Sequence, residues 1–395
     1  MLSAFDALFR ICIFIVLYTY IGYPLLLWIL VRIKDLRSRS RGRLPERDIQ
    51  SLPASLIITA YNEADIIEEK IRNCLALNYP ADKIEYIFIT DGSTDGTPEI
   101  ISRYPQLRLL HQPERKGKLA AMNRAVDHAL YPYLVFSDAN AFLNRDSIAN
   151  IARHYACKKT GGVAGEKKIF SGGADGSVAR GEGLYWRYES ALKKWDARLY
   201  SAIGAAGELF SIRKDLYKKL PENTIIEDFV QSLYLCMEGY RLAYEPEAYS
   251  QETASLSLKE EVERKTRISA GAFQAMGMLK KLFNFFAYPV LSFQFVSHRI
   301  LRWTLCPLAL LLLFPLSMIL FRYGNGYALV FIAQLAFYAL AVAGWYLARQ
   351  QSSFKGFYVP FYFVMMNYCV FAGFIRFLKK AQPAIWEKAG RTKSA

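Results

Sequence analysis

The chain has little cysteine and less histidine. Its six cysteines, Cys12, Cys74, Cys157, Cys236, Cys306 and Cys369, are scattered without a CxxC pair, and three sit in apolar stretches. That pattern excludes a disulfide framework and a thiolate zinc site, leaving buried free thiols. The four histidines have no metal-ligand spacing. Acidic residues are also scarce: 35 Asp and Glu face 50 Lys and Arg, for a net charge of +15. Glycine and proline, 24 and 15 of 395 residues, are too few for a collagenous or linker chain, and 53% hydrophobic residues are too many for a disordered one.

What is present is segregated. Ile11–Val31 runs 21 residues without a charge, and Trp303–Phe321, Tyr323–Ala348 and Gly356–Ile375 run 19, 26 and 20. A helix needs about 20 apolar residues to cross hydrocarbon. An integral membrane protein with a large soluble middle is therefore expected. The first run is too long for a cleaved signal peptide, and no small-x-small site follows it. Arg32, Lys34, Arg37, Arg39, Arg41 and Arg43 follow that run. Such clusters mark the cytoplasmic side and attract anionic lipid. The basic excess thus reads as topology in a multi-pass cell (inner or plasma) membrane, not as nucleic-acid binding. The 26 Tyr and 26 Phe lie largely in or beside apolar runs, and no basic stripe is interleaved with aromatics.

The expected organisation is an anchor at 1–32, a basic linker at 33–51, a soluble domain at 52–255, interfacial amphipathic helices at 256–300, three membrane segments at 301–378 and a basic tail at 379–395. One span before the soluble region and three after it put the C-terminus outside. The tail's Arg376, Lys379, Lys380, Lys388, Arg391 and Lys393 favour the inside. Either the last run, interrupted by Pro360 and Gly373, is re-entrant, or the charge rule does not hold for the tail.

In the soluble middle, strand-like runs alternate with helical patterns. The strands are Leu56–Thr59, Tyr86–Thr90, Leu107–His111 and Leu134–Ser137; the helices are Asp65–Leu77, Thr97–Arg103 and Lys118–Ala129. This alternation implies βαβ units, a mainly parallel sheet with helices on both faces, and a ligand site beyond the strands' carboxyl ends. There stand Ala60-Tyr61-Asn62-Glu63, then Asp91-Gly92-Ser93-Thr94-Asp95-Gly96-Thr97, then Ser137-Asp138-Ala139-Asn140. Carboxylates gathered where helix N-termini favour an anion call for a cation between them. Asp138 and Asn140 offer two oxygen ligands on one side of an extended strand end, which suits Mg²⁺ or Mn²⁺ bridging to a diphosphate. Each motif has a plainer reading. Asp95 or Thr94 can cap the next helix, and so can Glu227-Asp228. The basic run Arg115-Lys116-Gly117-Lys118 can hold phosphate or be a solvated turn. Gly204-Ala205-Ala206-Gly207-Glu208 is a small-residue loop that lets a substrate approach the backbone.

Taken in order, Asn62-Glu63, Asp91-Gly92-Ser93, Asp138-x-Asn140 and Glu227-Asp228 resemble membrane-bound glycosyltransferase family 2, the group of cellulose, hyaluronan and poly-N-acetylglucosamine synthases. The resemblance spans roughly 50–300 and the flanking apolar segments, by the standard of motifs in their structural context. It implies a GT-A type α/β domain that inverts the anomeric centre of a nucleotide-diphosphate sugar. UDP-sugar is the expected donor, and a glycan or lipid-linked molecule the acceptor. It gives Asp91 the nucleotide, with Tyr61 and Glu63 nearby, and Lys118 the nucleotide or diphosphate. Asp138 and Asn140 match the metal motif, with an amide in place of the second carboxylate. Glu227-Asp228 becomes the catalytic pair, Asp228 matching the base. The processive members' Q-x-x-R-W corresponds to Arg264-Lys265-Thr266-Arg267-Ile268, so Arg264 and Arg267 are expected near the diphosphate while the acceptor-platform tryptophan is absent. Trp386-Glu387-Lys388 loosely resembles a gating segment. Polymer synthesis and addition of one sugar to a lipid-linked acceptor are both compatible with these residues. A non-catalytic nucleotide-sugar-binding or scaffold subunit of a polysaccharide export complex is the alternative.

Overall fold

A computed structural model of the chain describes residues 2–38, 52–170, 177–253, 257–350 and 355–380. Arg39, Arg41, Arg43 and the Trp386-Glu387-Lys388 segment lie outside the described residues. Two compact units emerge, one drawn from 1–34, 171–185 and 254–382, the other from 35–170 and 186–253.

The second unit is built on an eight-stranded sheet. Its strands are β1 (Ala54–Ala60), β2 (Ile84–Asp91), β3 (Arg108–Gln112), β4 (Tyr133–Asp138), β5 (Phe142–Leu143), β6 (Thr160–Phe170), β7 (Phe210–Arg213) and β8 (Arg241–Thr253). Their order is β3-β2-β1-β4-β7-β6-β8-β5. The first four strands pair in parallel, with Ile57 opposite Ile87 on one side and Phe136 on the other. Beyond β4 the sheet is mixed: β7 runs antiparallel to β4 and to β6, β8 parallel to β6, and β5 antiparallel to β8. The expected parallel sheet is therefore its first half.

β1 shows why it sits centrally. Leu56, Ile57 and Ile58 are all fully buried, so both faces of the strand are covered, as a continuous apolar run requires. Leu56 and Ile58 join the main core with Ile67, Ile71 and Cys74 of the Ile67–Leu75 helix and Ile148 and Ile151 of the Ser147–His154 helix. This packing fixes the carboxyl edge of the parallel half, where β1, β2 and β4 end at Ala60, Asp91 and Asp138.

The other unit is helical. Among the described residues four helices are long and apolar enough to cross a membrane: Leu2–Arg37, Leu305–Tyr323, Asn325–Arg349 and Phe357–Leu378. They coincide with the four charge-free runs. The last is not broken at Pro360 or Gly373; Lys355–Leu378 is one continuous helix of 24 residues, about 36 Å long. That length is enough to cross hydrocarbon. Gly373 serves packing instead. A Cβ there would lie 2.5 Å from the Ser269 Cβ and 2.9 Å from the Thr266 carbonyl. The Leu258–Met278 helix therefore lies tightly along the last apolar helix. Lys280–Phe283 is a short 3₁₀ turn, and Pro289–Phe295 runs on through a π-helical turn at Val296–Ile300.

Candidate active site

The residues after β1 form a tight turn. Asn62 takes φ of 53°, a left-handed conformation that asparagine tolerates better than most residues. Its side-chain oxygen accepts from Thr94 N at 2.8 Å, and its own N–H donates to Ser93 Oγ at 3.0 Å. Glu63 N–H donates to Thr97 Oγ1 at 2.9 Å, and Ala64 N–H to Asp95 Oδ2 at 3.0 Å. The loops after β1 and β2 are thus sewn together by side chains. Asp95 is part of that stitching and also accepts from Thr97 N–H and Oγ1, whereas the N-cap of the Thr97–Ser102 helix is Gly96 without a side-chain cap, so neither Asp95 nor Thr94 is the cap expected from DGSTDGT. Partial burial pushes the Asp95 carboxyl up, but the donors from Thr97 and Ala64 outweigh this and hold it below the ordinary range.

Asp91 is 6% exposed and spends both oxygens on backbone. Oδ1 accepts from Lys116 N–H at 2.9 Å and Oδ2 from Gly117 N–H at 2.7 Å. It thereby pins the Arg115–Lys118 turn over the end of β2. Gly92 makes room: at φ of 68°, a Cβ there would meet the Arg115 Cβ at 2.9 Å. The Arg115 guanidinium lies 3.6 Å from the centroid of the Tyr61 ring, a close cation–π stack.

Lys118 follows at the start of the Lys118–His128 helix. Its ammonium stands 2.7 Å from Asp138 Oδ1 and 3.4 Å from Glu227 Oε1. Burial alone lowers its pKa; the charges of Asp138, Glu227 and Asp228 overcome this and raise it. Asp228, the second residue of the Glu227–Met237 helix, behaves oppositely. Burial first, then the adjacent Glu227, push its carboxyl up to about 7 against the pull of Lys118. Gly207 lies between these groups: a Cβ there would be 3.1 Å from Lys118 Nζ and 3.5 Å from Asp228 Oδ2. Gly204, at φ of 91°, would place a Cβ 2.2 Å from the Phe229 ring, and Ala205 N–H donates to Ser232 Oγ at 3.0 Å. The close approach that the small-residue loop permits is thus to the Glu227–Met237 helix and Lys118.

Thr59, Ala60, Tyr61, Glu63, Asp91, Arg115, Lys118, Asp138 and Asn140 line one open cleft. The structure brings together Tyr61, Glu63, Asp91, Lys118, Asp138 and Asn140, and ion pairs tie Glu227 to them through Lys118. Arg264 and Arg267 belong to the Leu258–Met278 helix of the other unit, where Arg264 Nη2 holds Glu261 Oε2 at 2.8 Å. Sequence reasoning gave Arg115 no place among the site residues, although the basic run containing it was visible. It also passed over a buried ion cluster: Lys167 pairs with Glu208 and, at 2.6 Å, with Glu252. Glu208 helps to raise Asp228. Nothing in the spacing of 167, 208 and 252 signals their meeting.

The donor set suits a divalent ion that arrives with phosphate. Asp138 and Asn140 supply one carboxylate and one amide oxygen at the cleft wall, and among the described residues no hydrogen bond engages the Asn140 amide. One or two protein oxygens completed by a diphosphate and water is the usual Mg²⁺ arrangement. Among the described residues no group of three His, Cys, Asp or Glu could cage an ion without such help.

Residues 55–220 match Glycosyl transferase family 2. The chain carries a glycosyltransferase family 2 domain. It is 28% identical over 222 residues to a poly-beta-1,6-N-acetyl-D-glucosamine synthase of Staphylococcus aureus, covering 52% of this chain and 52% of that one. A synthase of the same name from Staphylococcus epidermidis is 27% identical over 204 residues, 49% of this chain and 48% of that one. The chain thus spans about half the length of these curated relatives. Among solved structures, the mannosyltransferase PcManGT of Pyrobaculum calidifontis, in complex with GDP-Man and Mn²⁺, superposes with a TM-score of 0.68. The match covers 95% of this chain and 100% of that one at 23% identity. At that identity the likeness concerns the fold, which is of GT-A type with additional apolar helices.

Proposed function

We propose that the chain is a membrane-embedded inverting glycosyltransferase. In this reading it moves a sugar from a nucleotide-diphosphate sugar, a UDP-sugar first among them, to a glycan or lipid-linked acceptor in exopolysaccharide or cell-envelope glycan synthesis. One observation carries the reading: a carboxylate poised near neutrality, Asp228, stands across Lys118 from the Asp138–Asn140 pair. A base belongs on one side of the reacting carbon and a charge-neutralising site on the other. Asp228 takes the proton from the acceptor hydroxyl as that oxygen attacks C1, so no covalent sugar–enzyme intermediate is needed. Asp91 holds the basic turn against the nucleotide, and Tyr61 stacked with Arg115 offers a flat face to the base. Lys118 neutralises phosphate, with Arg264 and Arg267 as further diphosphate partners. A Mg²⁺ or Mn²⁺ ion held by Asp138 and Asn140 would supply charge to the departing diphosphate.

The four apolar helices support a location in a cell membrane. The basic residues after the first helix support a catalytic domain on the cytoplasmic side. Ile268 in the acceptor-platform position favours single addition over polymer growth. Asn140 in place of an acid is what keeps the scaffold-subunit reading in play.

The test is transfer by the purified protein in lipid nanodiscs. It is offered radiolabelled UDP-sugars and GDP-mannose with Mg²⁺ or Mn²⁺, without and with lipid-phosphate acceptors, and the products are sized. Transfer that disappears in Asp228→Asn while nucleotide-sugar binding persists is expected. Binding without transfer by the parent under every condition would favour the scaffold subunit. Absence of nucleotide binding would reject both readings.

A further inference from the structure

Lys70 has no place in the chemistry above and no exposure at all. It sits mid-way along the Ile67–Leu75 helix, whose Ile67, Ile71 and Cys74 are fully buried in the main core. A lysine among them is costly, because an ammonium taken from water needs partners to offset its desolvation. Its partners are specific. Nζ donates to Ser137 Oγ at 3.0 Å and to the Ala141 carbonyl. Ser137 precedes Asp138 and Ala141 follows Asn140, so one ammonium grips both ends of the turn carrying the cation ligands. Within the turn, Ala141 N–H donates to the Asp138 carbonyl at 3.1 Å.

A second side chain continues the grip. Asn73 lies three residues on, on the same face of the helix. Its Nδ2 donates to the Leu143 carbonyl at 2.8 Å, and its Oδ1 accepts from Leu143 N–H at 2.8 Å. Two side chains one turn apart thus make four hydrogen bonds to a seven-residue stretch, Ser137–Leu143. At its other end the helix is tied to the loop after β1, where the Glu63 carbonyl accepts from Ile66 and Ile67 N–H at 3.0 and 2.9 Å. The helix is a splint running from the loop that offers Tyr61 and Glu63 to the turn that offers Asp138 and Asn140.

We propose that Lys70 and Asn73 are positioning residues for the divalent-cation site, holding Asp138 and Asn140 in the geometry that binds the ion together with a nucleoside diphosphate. The inference rests on the transferase reading. Neither residue reaches the cleft; each acts through the Ser137–Leu143 stretch. A site with only one carboxylate and one amide has little affinity to spare, so the orientation of those two oxygens decides whether the ion is held.

The test uses the full-length protein in nanodiscs and reads bound Mn²⁺ by its electron paramagnetic resonance signal in the presence of UDP. UDP affinity in EDTA and the melting temperature are read beside it. Lys70→Met keeps the apolar stem and removes the donor. It is expected to weaken Mn²⁺ binding by about tenfold or more, the usual size of an outer-shell loss, with UDP affinity in EDTA within about twofold of the parent. Lys70→Arg should recover part of the loss. If Lys70→Met does not fold, Asn73→Ser, which shortens the second clamp, carries the same expectation at a smaller size. Folded variants with parental Mn²⁺ affinity, or with Mn²⁺ and UDP-in-EDTA binding lost in equal measure, overturn the inference while leaving the transferase reading standing. A parent that binds no Mn²⁺ with UDP removes the cation site, and both fall.

Discussion

Replacing Asp228 by asparagine should abolish transfer and, above neutrality, stabilise the fold. The structure gives the sign and the size. In the unfolded chain the carboxyl releases its proton near 3.8; in the folded protein it keeps it to about 7. Between those values the folded state binds more protons than the unfolded state, so the parent loses stability as pH rises from about 4 to about 7. The penalty is complete above 7. The difference is about 3 pKa units, and at about 1.4 kcal/mol each it amounts to about 4 kcal/mol. The cause is burial beside Glu227, only partly offset by Lys118. Asparagine matches the protonated carboxyl in shape and cannot ionise, so it escapes the penalty. Lys118 loses one of its three acidic neighbours at the same time, so the realised gain is the smaller part of that figure. The assay is thermal unfolding in nanodiscs, with EDTA and without nucleotide, at pH 5 and pH 8. The variant should melt somewhat higher than the parent at pH 5, where roughly a third of the penalty is already present, and higher still at pH 8. Transfer should fall by about 10²–10⁴-fold, the worth of a positioned base. Equal melting at both pH values would refute a buried, proton-holding Asp228. A variant that keeps turning over would refute its role as base.

Three further substitutions probe the surrounding geometry. Lys118→Gln removes the cation that pulls Asp228 down, so the acidic limb of the pH–rate profile should move to higher pH; an unmoved limb would uncouple the two groups. Gly204→Ala places a Cβ 2.2 Å from the Phe229 ring at a φ of 91°. It should cost about 2 kcal/mol or more through strain and overpacking, lowering the melting temperature and transfer together; a parental melting curve would show the loop free to move away. Arg267→Ala should weaken UDP binding measured by calorimetry, and equal affinity in variant and parent would take Arg267 out of the diphosphate site.

The first half of the sheet was legible because its strands are apolar runs broken by turn residues, and β1 to β4 fall where those runs predict. The second half was not, for reasons visible in β6. Gly161, Gly162 and Gly165 depress its strand character, yet each is demanded by packing. A Cβ on Gly161 would lie 2.7 Å from the Tyr240 Cβ, and one on Gly165 2.9 Å from the Ala248 carbonyl. Lys167 breaks the apolar pattern because it is buried among charges, with Glu208 and Glu252 contributed by two other parts of the chain. No local window holds all three, so no periodicity could have found them.

The same division runs through the site. Motif order located Tyr61, Glu63, Asp91, Lys118, Asp138 and Asn140 at one sheet edge because strand ends are local features. What each carboxylate does there depends on partners remote in sequence. Asp91 reads as a ligand-binding acid, yet both its oxygens are bound by backbone N–H groups 25 and 26 residues away. Asp138 reads as a metal ligand, yet an ammonium stands 2.7 Å from it. That ammonium is also what keeps Asp228 from rising further. A cation arriving at Asp138 must therefore displace Lys118 or share the carboxylate with it. Either way Lys118 can turn towards incoming phosphate, and its hold on Asp228 weakens as it does. In the proposed transferase, donor binding and the proton affinity of Asp228 are then linked through one side chain. The pH limb of transfer should accordingly differ between free and donor-bound enzyme, and comparing kcat with kcat/KM across pH measures that difference.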